Sequence, residues 1–281
     1  MVRRTFPEIE LIESETNLGY GTAANRAMET CSAQYVVLTN SDVMFGPNAI
    51  ALLSDYLHRN PRVALAGPRL RNRDGGLQPS CFPLPGSPAW LLQNRHICRL
   101  IRHVPRVGGR FLLAWDHAEE RQVPWLKGAV LAVRRSAFRE LGGFNESFFM
   151  YYEEVDLCVR LARRGWEIRF TPVAEVTHVG GASTARVSSM MALEFFISSM
   201  RFATIHYSRR YCALLRQCWN AVMAMRLARG YLRLLCCRET EARERIRQDL
   251  QAWKKALRYR ISDPAPRPPS SARADALQPG Q

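Results

Sequence analysis

Three clusters of polar side chains in this sequence are of the types that bind ligands. Each cluster stands at the end of a predicted strand or at the start of a predicted helix. In open α/β sheets, ligands bind beyond the carboxyl ends of the strands, and carboxylate, amide and imidazole groups supply the oxygen and nitrogen atoms for that binding. The clusters are Asn40 with Asp42, the acids Glu153, Glu154 and Asp156, and the single His178.

Each cluster taken alone also has a structural explanation. An Asp that follows a strand is commonly a turn or N-cap residue. Acids in the first turn of a helix are stabilised by the helix dipole whether or not they carry a function. A single histidine at a strand end is often structural. The residue types alone therefore leave both explanations open, and only the combination and order of the clusters favours a function.

The elements that must position these clusters alternate between strand and helix over residues 1–185, which predicts an α/β layer architecture. Residues 71–124 contain several Pro and Gly and predict an irregular insertion on the substrate side. Strands are predicted at residues 35–39, 63–66, 129–133, 167–171 and 175–179, and helices after residue 48 and at residues 155–164.

The composition excludes several classes of protein. The chain has 281 residues, 47% of them hydrophobic and 10% aromatic, which is enough to form a core and excludes disorder throughout. The sequence contains no run of about 18 apolar residues, so no membrane span is predicted. No apolar stretch follows the basic residues near the first residue, so no secretory signal is predicted. The eight cysteines form no CxxC pair and no metal-ligand spacing, a usage typical of a reducing, intracellular compartment.

The positive charge is concentrated in one segment. Residues 201–260 hold 15 of the 40 Lys+Arg residues but only four of the 25 Asp+Glu residues, so this segment carries +11 of the net +15. One glycine and no proline occur in residues 190–260, which predicts a basic helical appendage. It is either a helix packed on the main domain with arginines in solvent, or a helix lying on anionic lipid. Residues 261–281 are rich in Pro and Ser, which predicts disorder.

Four stretches together resemble the family 2 glycosyltransferases, and most closely their rhamnosyltransferase-like branch. They are NLGYGTAANRAM (17–28), VVLTNSDV (36–43), residues 126–166 and VTHVGGAS (176–183), and the most specific part of them is GGFNESFFMYYEEVDLCVRL (142–161). The resemblance implies a GT-A fold, in which helices flank a mixed α/β sheet, over residues 1–200. It also implies transfer of a sugar from a nucleotide-diphosphate donor with inversion at the anomeric carbon.

The resemblance assigns the polar clusters to a cation and a donor. Asn40-Ser41-Asp42 is similar to the family's DxD-type motif, so Asp42 is expected to bind Mg²⁺ or Mn²⁺ together with the donor diphosphate. His178 is expected to add a second contact to the cation. Donor contacts are also expected from residues whose positions match the family's nucleotide and sugar loops: Asn17, Gly19, Asn25, Asn40, Lys127 and Gly128.

The resemblance further assigns a catalytic base. One carboxylate must take the proton of the acceptor hydroxyl as that hydroxyl attacks the sugar. Glu154 is the expected base, with Glu153 and Asp156 in supporting roles. A neighbouring carboxylate is expected to raise the pKa of Glu154 through like-charge repulsion.

The expected enzyme uses a dTDP- or UDP-linked sugar, with rhamnose favoured by the subfamily likeness, and a polysaccharide or lipid-linked acceptor. It is expected in the cytoplasm at the inner face of the membrane, in peripheral contact with anionic lipid. Nucleic acid is not expected as a partner, because no aromatic stacking platform accompanies the arginines.

One departure from the family pattern favours an alternative. The strand-helix-strand unit that opens the family's fold is not recognised ahead of a strand predicted at residues 9–12. A truncated, non-catalytic remnant that binds a membrane or a partner is therefore the second hypothesis.

Overall fold

A computed structural model of the chain describes residues 2–87, 115–180, 188–237 and 239–259. These residues form two compact units, and each is described by itself. The first unit combines Met1–Cys31, Glu146–Met150 and Ser189–Gln281, and the second combines Ser32–Asn145 and Tyr151–Ser188. The predicted domain boundaries at residues 200 and 260 stay predictions, and the predicted disordered tail lies outside the described residues.

The second unit is built on a seven-stranded mixed sheet, which confirms the expected α/β class. Its strands are β1 (Tyr35–Thr39), β2 (Val43–Phe45), β3 (Val63–Arg71), β4 (Leu77–Gln78), β6 (Arg121–Gln122), β8 (Val130–Arg134) and β9 (Glu167–His178), and a two-stranded sheet pairs β5 (Cys81–Phe82) with β7 (Trp125–Leu126). The main order is β1-β8-β3-β9-β2, with β4 on β3 and β6 on β9. Among the described strands, β3 and β9 alone pair in parallel, and the other pairs are antiparallel.

Three helices flank this sheet: α3 (Ala49–Arg59), α4 (Arg135–Glu140) and α5 (Glu153–Arg163). The central strands β3 and β8 are almost continuously apolar and buried, as expected where a strand is covered on both faces. Leu53 and Leu57 of α3 are fully buried in the same core, one turn apart on one face of the helix. This core holds the strand ends that carry the polar clusters.

Two strand predictions are corrected by the structure. The two strands predicted at residues 167–171 and 175–179 are one strand, β9, which ends at His178 and in which Pro172 sits at a register shift between β3 and β9. A bulge of this kind tolerates a proline because no ladder hydrogen bond is required there.

The predicted strand at residues 9–12 is absent from the described structure. The side chains of Ile9 and Ile12 are exposed, and the segment pairs with no described strand. An apolar-polar alternation forms a strand only where a neighbour accepts its backbone hydrogen bonds.

The first unit is helical. Its helices are α1 (Val2–Thr5), α2 (Tyr20–Thr30), α6 (Ser188–His206), α7 (Arg209–Cys236) and α8 (Thr240–Arg258). Phe196, Met223 and Trp253 bring α6, α7 and α8 into one buried apolar cluster. Gly230 lets α7 approach α8 closely, because a Cβ at this position would lie 2.8 Å from Leu250 Cδ2. Among the described helices, none has both the length and the hydropathy needed to cross a bilayer.

Candidate active site

The pairing of β1 with β8 places the Asn40–Asp42 turn beside the Lys127–Gly128 segment. Thr39, the last residue of β1, pairs with Val130, the first residue of β8. The backbone N–H of Asn40 then donates to the carbonyl oxygen of Ala129 at 3.0 Å. Because the strands are antiparallel, the end of β1 and the start of β8 share one edge of the sheet.

The pairing of β2 with β9 brings Asp42 and His178 together at the same edge. Val43 pairs with His178, and the backbone N–H of Val179 donates to the carbonyl oxygen of Asp42 at 3.0 Å. The backbone N–H of Gly180 holds Asp42 Oδ2 at 3.1 Å. The other oxygen, Oδ1, lies 3.4 Å from His178 Nε2.

Gln78 of β4 orients the imidazole of His178. The Gln78 Oε1 atom lies 2.7 Å from His178 Nδ1 and accepts a hydrogen bond from Lys127 Nζ at 3.0 Å. The Gln78 Nε2 atom donates to Asn72 Oδ1 at 2.8 Å and to the carbonyl oxygen of His178 at 3.2 Å. Since Oε1 is an acceptor, His178 Nδ1 carries the proton and Nε2 carries the lone pair.

The Nε2 lone pair faces Asn40 and Asp42, in the environment of a neutral imidazole. Asn40 Nδ2 lies 3.4 Å from Nε2 as a hydrogen-bond donor. Burial lowers the pKa of His178 and the charge of Lys127 lowers it further, while Asp42 acts in the opposite direction. A neutral histidine whose other nitrogen is held by a side-chain acceptor is the arrangement in which histidine binds metals.

Asp42 and His178 therefore fit a divalent cation. A carboxylate oxygen and an imidazole nitrogen are suitable ligands for Mn²⁺, and the carboxylate suits Mg²⁺. No group of three or more His, Cys, Asp or Glu side chains that could hold a metal occurs within the described parts of the chain. The remaining ligands of such a cation would come from substrate and water.

Glu154 lies in the first turn of α5, which begins at Glu153, two residues before the predicted start. Burial raises the pKa of Glu154, while backbone hydrogen bonds from Gly128 and Val155 and the charge of Lys127 lower it. Its Oε2 atom is buried, and among the described residues it has no hydrogen-bond partner. A carboxylate with a raised pKa and an unused oxygen is suited to accept a proton.

Gly128 brings the β7–β8 connection against Glu154. A Cβ at residue 128 would lie 3.7 Å from three carbon atoms of the Glu154 side chain. The Lys127 backbone N–H donates to Ser80 O at 2.8 Å, which ties the same connection to the chain before β5. Burial lowers the pKa of Lys127, whereas Asp42 and Glu154 raise it. The Lys127 ammonium group therefore interacts electrostatically with both the expected base, Glu154, and the expected cation ligand, Asp42.

The two other acids of the cluster have different environments. Glu153 is buried, its Oε2 has no hydrogen-bond partner in the described structure, and burial together with the Glu154 charge raises its pKa well above the ordinary value. Asp156 is fully buried and forms an ion pair with Arg160 at 2.7 Å between Oδ2 and Nε. Arg160 in turn donates to the carbonyl oxygen of Gly143 at 2.8 Å. The contacts of Asp156 are those of a structural residue.

Two consecutive tyrosines before α5 adopt left-handed backbone conformations. Tyr151 has φ of 67° and Tyr152 has φ of 68°, which is uncommon for residues with a Cβ. Such strain is concentrated at functional sites, where the surrounding structure maintains it. The two residues set the direction in which α5 starts, and thus the position of Glu154.

The three expected nucleotide-contact residues near the start of the chain lie in the first unit. Asn17 Oδ1 accepts a hydrogen bond from the backbone N–H of Gly19 at 3.0 Å. Gly19 has φ of 81°, and a Cβ there would lie 2.2 Å from the carbonyl oxygen of Phe149, so only glycine fits. Asn25 Nδ2 donates to Glu146 Oε1 at 2.9 Å. Their donor contacts stay predictions.

Gln78 is not among the site residues predicted from the sequence, because the several Pro and Gly of residues 71–124 predict irregular structure there. The β3–β4 hairpin that carries Gln78 turns through Asp74-Gly75, and the backbone N–H of Gly76 donates to Asp74 Oδ1 at 2.9 Å. An Asp-Gly pair between strand-like residues is a strong hairpin signal and could have located this strand.

Residues 1–195 match the family model described as "Glycosyltransferase like family 2". The chain is 35% identical over 234 residues to N-acetylglucosaminyl-diphospho-decaprenol L-rhamnosyltransferase of Mycobacterium tuberculosis, a match that covers 79% of this chain and 75% of the relative. It is 28% identical over 177 residues to the low-salt glycan biosynthesis hexosyltransferase Agl10 of Haloferax volcanii, covering 61% and 52% of the two chains. A solved structure of a mannosyltransferase from Pyrobaculum calidifontis in complex with GDP-Man and Mn²⁺ aligns with a TM-score of 0.44 and 19% identity, over 91% of this chain and 73% of that chain.

Proposed function

The chain belongs to glycosyltransferase family 2, and we propose that it transfers L-rhamnose with inversion from a nucleotide-diphosphate donor to a lipid-linked or polysaccharide acceptor. The rhamnosyl specificity is supported by the 35% identity to the mycobacterial rhamnosyltransferase, whose name specifies a diphospho-decaprenol acceptor. The donor is dTDP- or UDP-linked. The enzyme works at the cytoplasmic face of the membrane, where a lipid-linked acceptor is available.

One observation supports the proposal of catalysis: strand pairing brings the expected cation ligands to one edge of the sheet, and Gly128 at that edge lies against the expected base, Glu154 of α5. Asp42 directly precedes β2 and His178 ends β9, while Gly128, in the segment before β8, lies against Glu154. Lys127 acts on the pKa of both Glu154 and His178. A remnant that only binds a partner has no need of this arrangement.

In the proposed reaction, Glu154 accepts the proton of an acceptor hydroxyl. The hydroxyl oxygen forms a bond to the anomeric carbon of the sugar while the bond from that carbon to the diphosphate oxygen breaks. Attack from the face opposite the leaving group inverts the configuration. Lys127 and Asn40 lie at the edge where the diphosphate charge develops, and a positive charge there stabilises the transition state.

Asp42 and His178 would hold Mn²⁺ or Mg²⁺, which would supply charge neutralisation to the departing diphosphate. Two contacts that restrain these side chains support this role. Gly180 holds one oxygen of Asp42, and Gln78 fixes the proton of His178 on Nδ1.

The test is transfer by the full chain with Mn²⁺, dTDP-rhamnose and a short diphosphate-linked N-acetylglucosamine acceptor. We expect a disaccharide product, and nuclear magnetic resonance should report the anomeric configuration opposite to that of the donor. Omission of the cation, or excess EDTA, should abolish transfer. Retention of configuration would contradict the single-displacement mechanism, and transfer unaffected by EDTA would contradict the role of Asp42 and His178. Absence of transfer with dTDP- and UDP-sugars alike would favour a non-catalytic binding protein.

A further inference from the structure

The long helix α7 presents an uninterrupted apolar stripe to the solvent. Leu214, Met225 and Leu232 are each more than 60% exposed, and Leu235 is 82% exposed. Together with the exposed Cys218, Ala221 and Ala228 they follow alternating steps of four and three residues. This is the repeat of a single face of a helix. The stripe, residues 214–235, extends about 32 Å at 1.5 Å per residue.

The stripe lies on the opposite side of α7 from its buried contacts. Met223 is buried in the cluster with Trp253 of α8, and Gly230 contacts Leu250. At 100° per residue, residues 223 and 230 point away from residues 214, 225 and 232. The packing of α7 on α8 therefore leaves the stripe uncovered.

The arginines beside the stripe indicate which kind of surface it binds. The sequence of α7 contains six arginines and no Asp or Glu. Arg229 and Arg233 are exposed and follow the stripe residues Ala228 and Leu232. Two copies of α7 packed along this face would bring arginines together with no carboxylate from α7 to balance them, which disfavours self-association. An anionic surface with an apolar interior satisfies both the arginines and the stripe.

We propose that the stripe of α7 docks on an anionic lipid leaflet, with Leu214, Met225, Leu232 and Leu235 at the boundary of headgroups and acyl chains. Arg229 and Arg233 contact the lipid phosphates. The inference deepens the proposed function and rests on it for the location of the acceptor, since a docked helix keeps the enzyme at the surface that holds a lipid-linked sugar.

The test is sedimentation of the full chain with vesicles of phosphatidylglycerol mixed with phosphatidylcholine, and with vesicles of phosphatidylcholine alone. We expect binding to the mixed vesicles, weakened by salt. The double substitution Met225→Glu with Leu232→Glu should lower the partition coefficient at least about tenfold. The matched control, Gln248→Glu with Gln251→Glu on exposed positions of α8, adds the same two negative charges and should bind like the parent chain or with a small loss. Replacing Arg229 and Arg233 by alanine should weaken binding about fivefold for each arginine.

Equal binding of the stripe variant and the control would overturn the proposal, as would no binding of the parent chain to anionic vesicles. A dimer in sedimentation equilibrium that the stripe variant dissociates, without lipid binding, would assign the face to a second copy and would also overturn it. Transfer to the short soluble acceptor separates this inference from the proposed function. If only the docking proposal fails, the chain still transfers sugar to the soluble acceptor but does not bind anionic vesicles. If only the catalytic proposal fails, the chain still binds anionic vesicles but transfers no sugar.

Discussion

Gln78 Oε1 lies 2.7 Å from His178 Nδ1, and this contact turns the unprotonated Nε2 of the imidazole toward Asp42. The same oxygen accepts a hydrogen bond from Lys127. One amide thus fixes the tautomer of an expected cation ligand and the position of the Lys127 ammonium group. Loss of an outer partner of this kind typically lowers metal affinity about 10- to 100-fold.

Replacing Gln78 by leucine should therefore weaken cation binding. We expect the Mn²⁺ concentration at half-maximal transfer to rise about 10- to 100-fold, because the imidazole loses the partner that fixes its tautomer. The variant Gln78→Glu keeps an acceptor oxygen for Nδ1 and should retain more of the affinity. An unchanged Mn²⁺ dependence in Gln78→Leu would show that His178 is oriented by other groups.

Replacing Glu154 by glutamine should remove the base while leaving donor binding intact. We expect kcat to fall about 100- to 10,000-fold, the usual contribution of a general base. Calorimetric titration with the nucleoside diphosphate and Mn²⁺ should give a dissociation constant close to that of the parent chain. Substitution of the exposed Asp55 by asparagine is the control for loss of a carboxylate elsewhere in the same unit. Full activity of Glu154→Gln would reject its assignment.

The pH dependence of kcat/KM should report the raised pKa of Glu154. A base must be unprotonated, so activity falls as the pH decreases through its pKa, and burial moves that decrease to higher pH than for an exposed glutamate. Lys127 lowers this pKa, so Lys127→Met should shift the acidic limb further toward neutral pH. A shift in the opposite direction would indicate that another group controls the limb.

Glu153 should destabilise the folded chain at neutral pH. Its pKa is raised by burial in the folded state, so the unfolded state loses the proton more readily and stability decreases as pH rises above the ordinary glutamate range. We expect Glu153→Gln to increase the free energy of unfolding by about 1 kcal/mol near pH 7 and to reduce its pH dependence. Urea denaturation at acidic and neutral pH provides the measurement. A less stable variant at neutral pH would show that the Glu153 carboxylate has a favourable partner.

Asp156 and Arg160 should act on folding. Removing Arg160 leaves the fully buried Asp156 carboxylate without its ion-pair partner, a change that costs about 3–5 kcal/mol for buried pairs. We expect Arg160→Met to lower the denaturation midpoint strongly, while kcat per folded molecule changes little. The matched substitution Arg59→Met removes an exposed ion pair and should change stability by less than about 1 kcal/mol. A loss of kcat in Arg160→Met without a loss of stability would indicate that Asp156 has a role in catalysis.

The elements with a strong local pattern could be predicted from the sequence. The strand at residues 35–39 agrees with the prediction at both ends, and the helix that carries Glu154 begins two residues before the predicted start. The continuity of β9 could not be predicted, since Thr171-Pro172 is locally a strand break and only the bulge against β3 accommodates it. The role of Gln78 was likewise not accessible, because its partners are 49 and 100 residues away in sequence.

The consecutive left-handed residues Tyr151 and Tyr152 set thermal stability against catalytic activity. For residues with a Cβ, each such conformation costs about 1–2 kcal/mol relative to the ordinary helical region. Selection of variants for heat resistance alone would favour glycine or asparagine at the half-buried Tyr151, because these residues relieve the backbone. The same change would free the start of the helix that orients Glu154. Thermostable descendants of this enzyme would then be selected at the expense of turnover, unless the screen scores both properties.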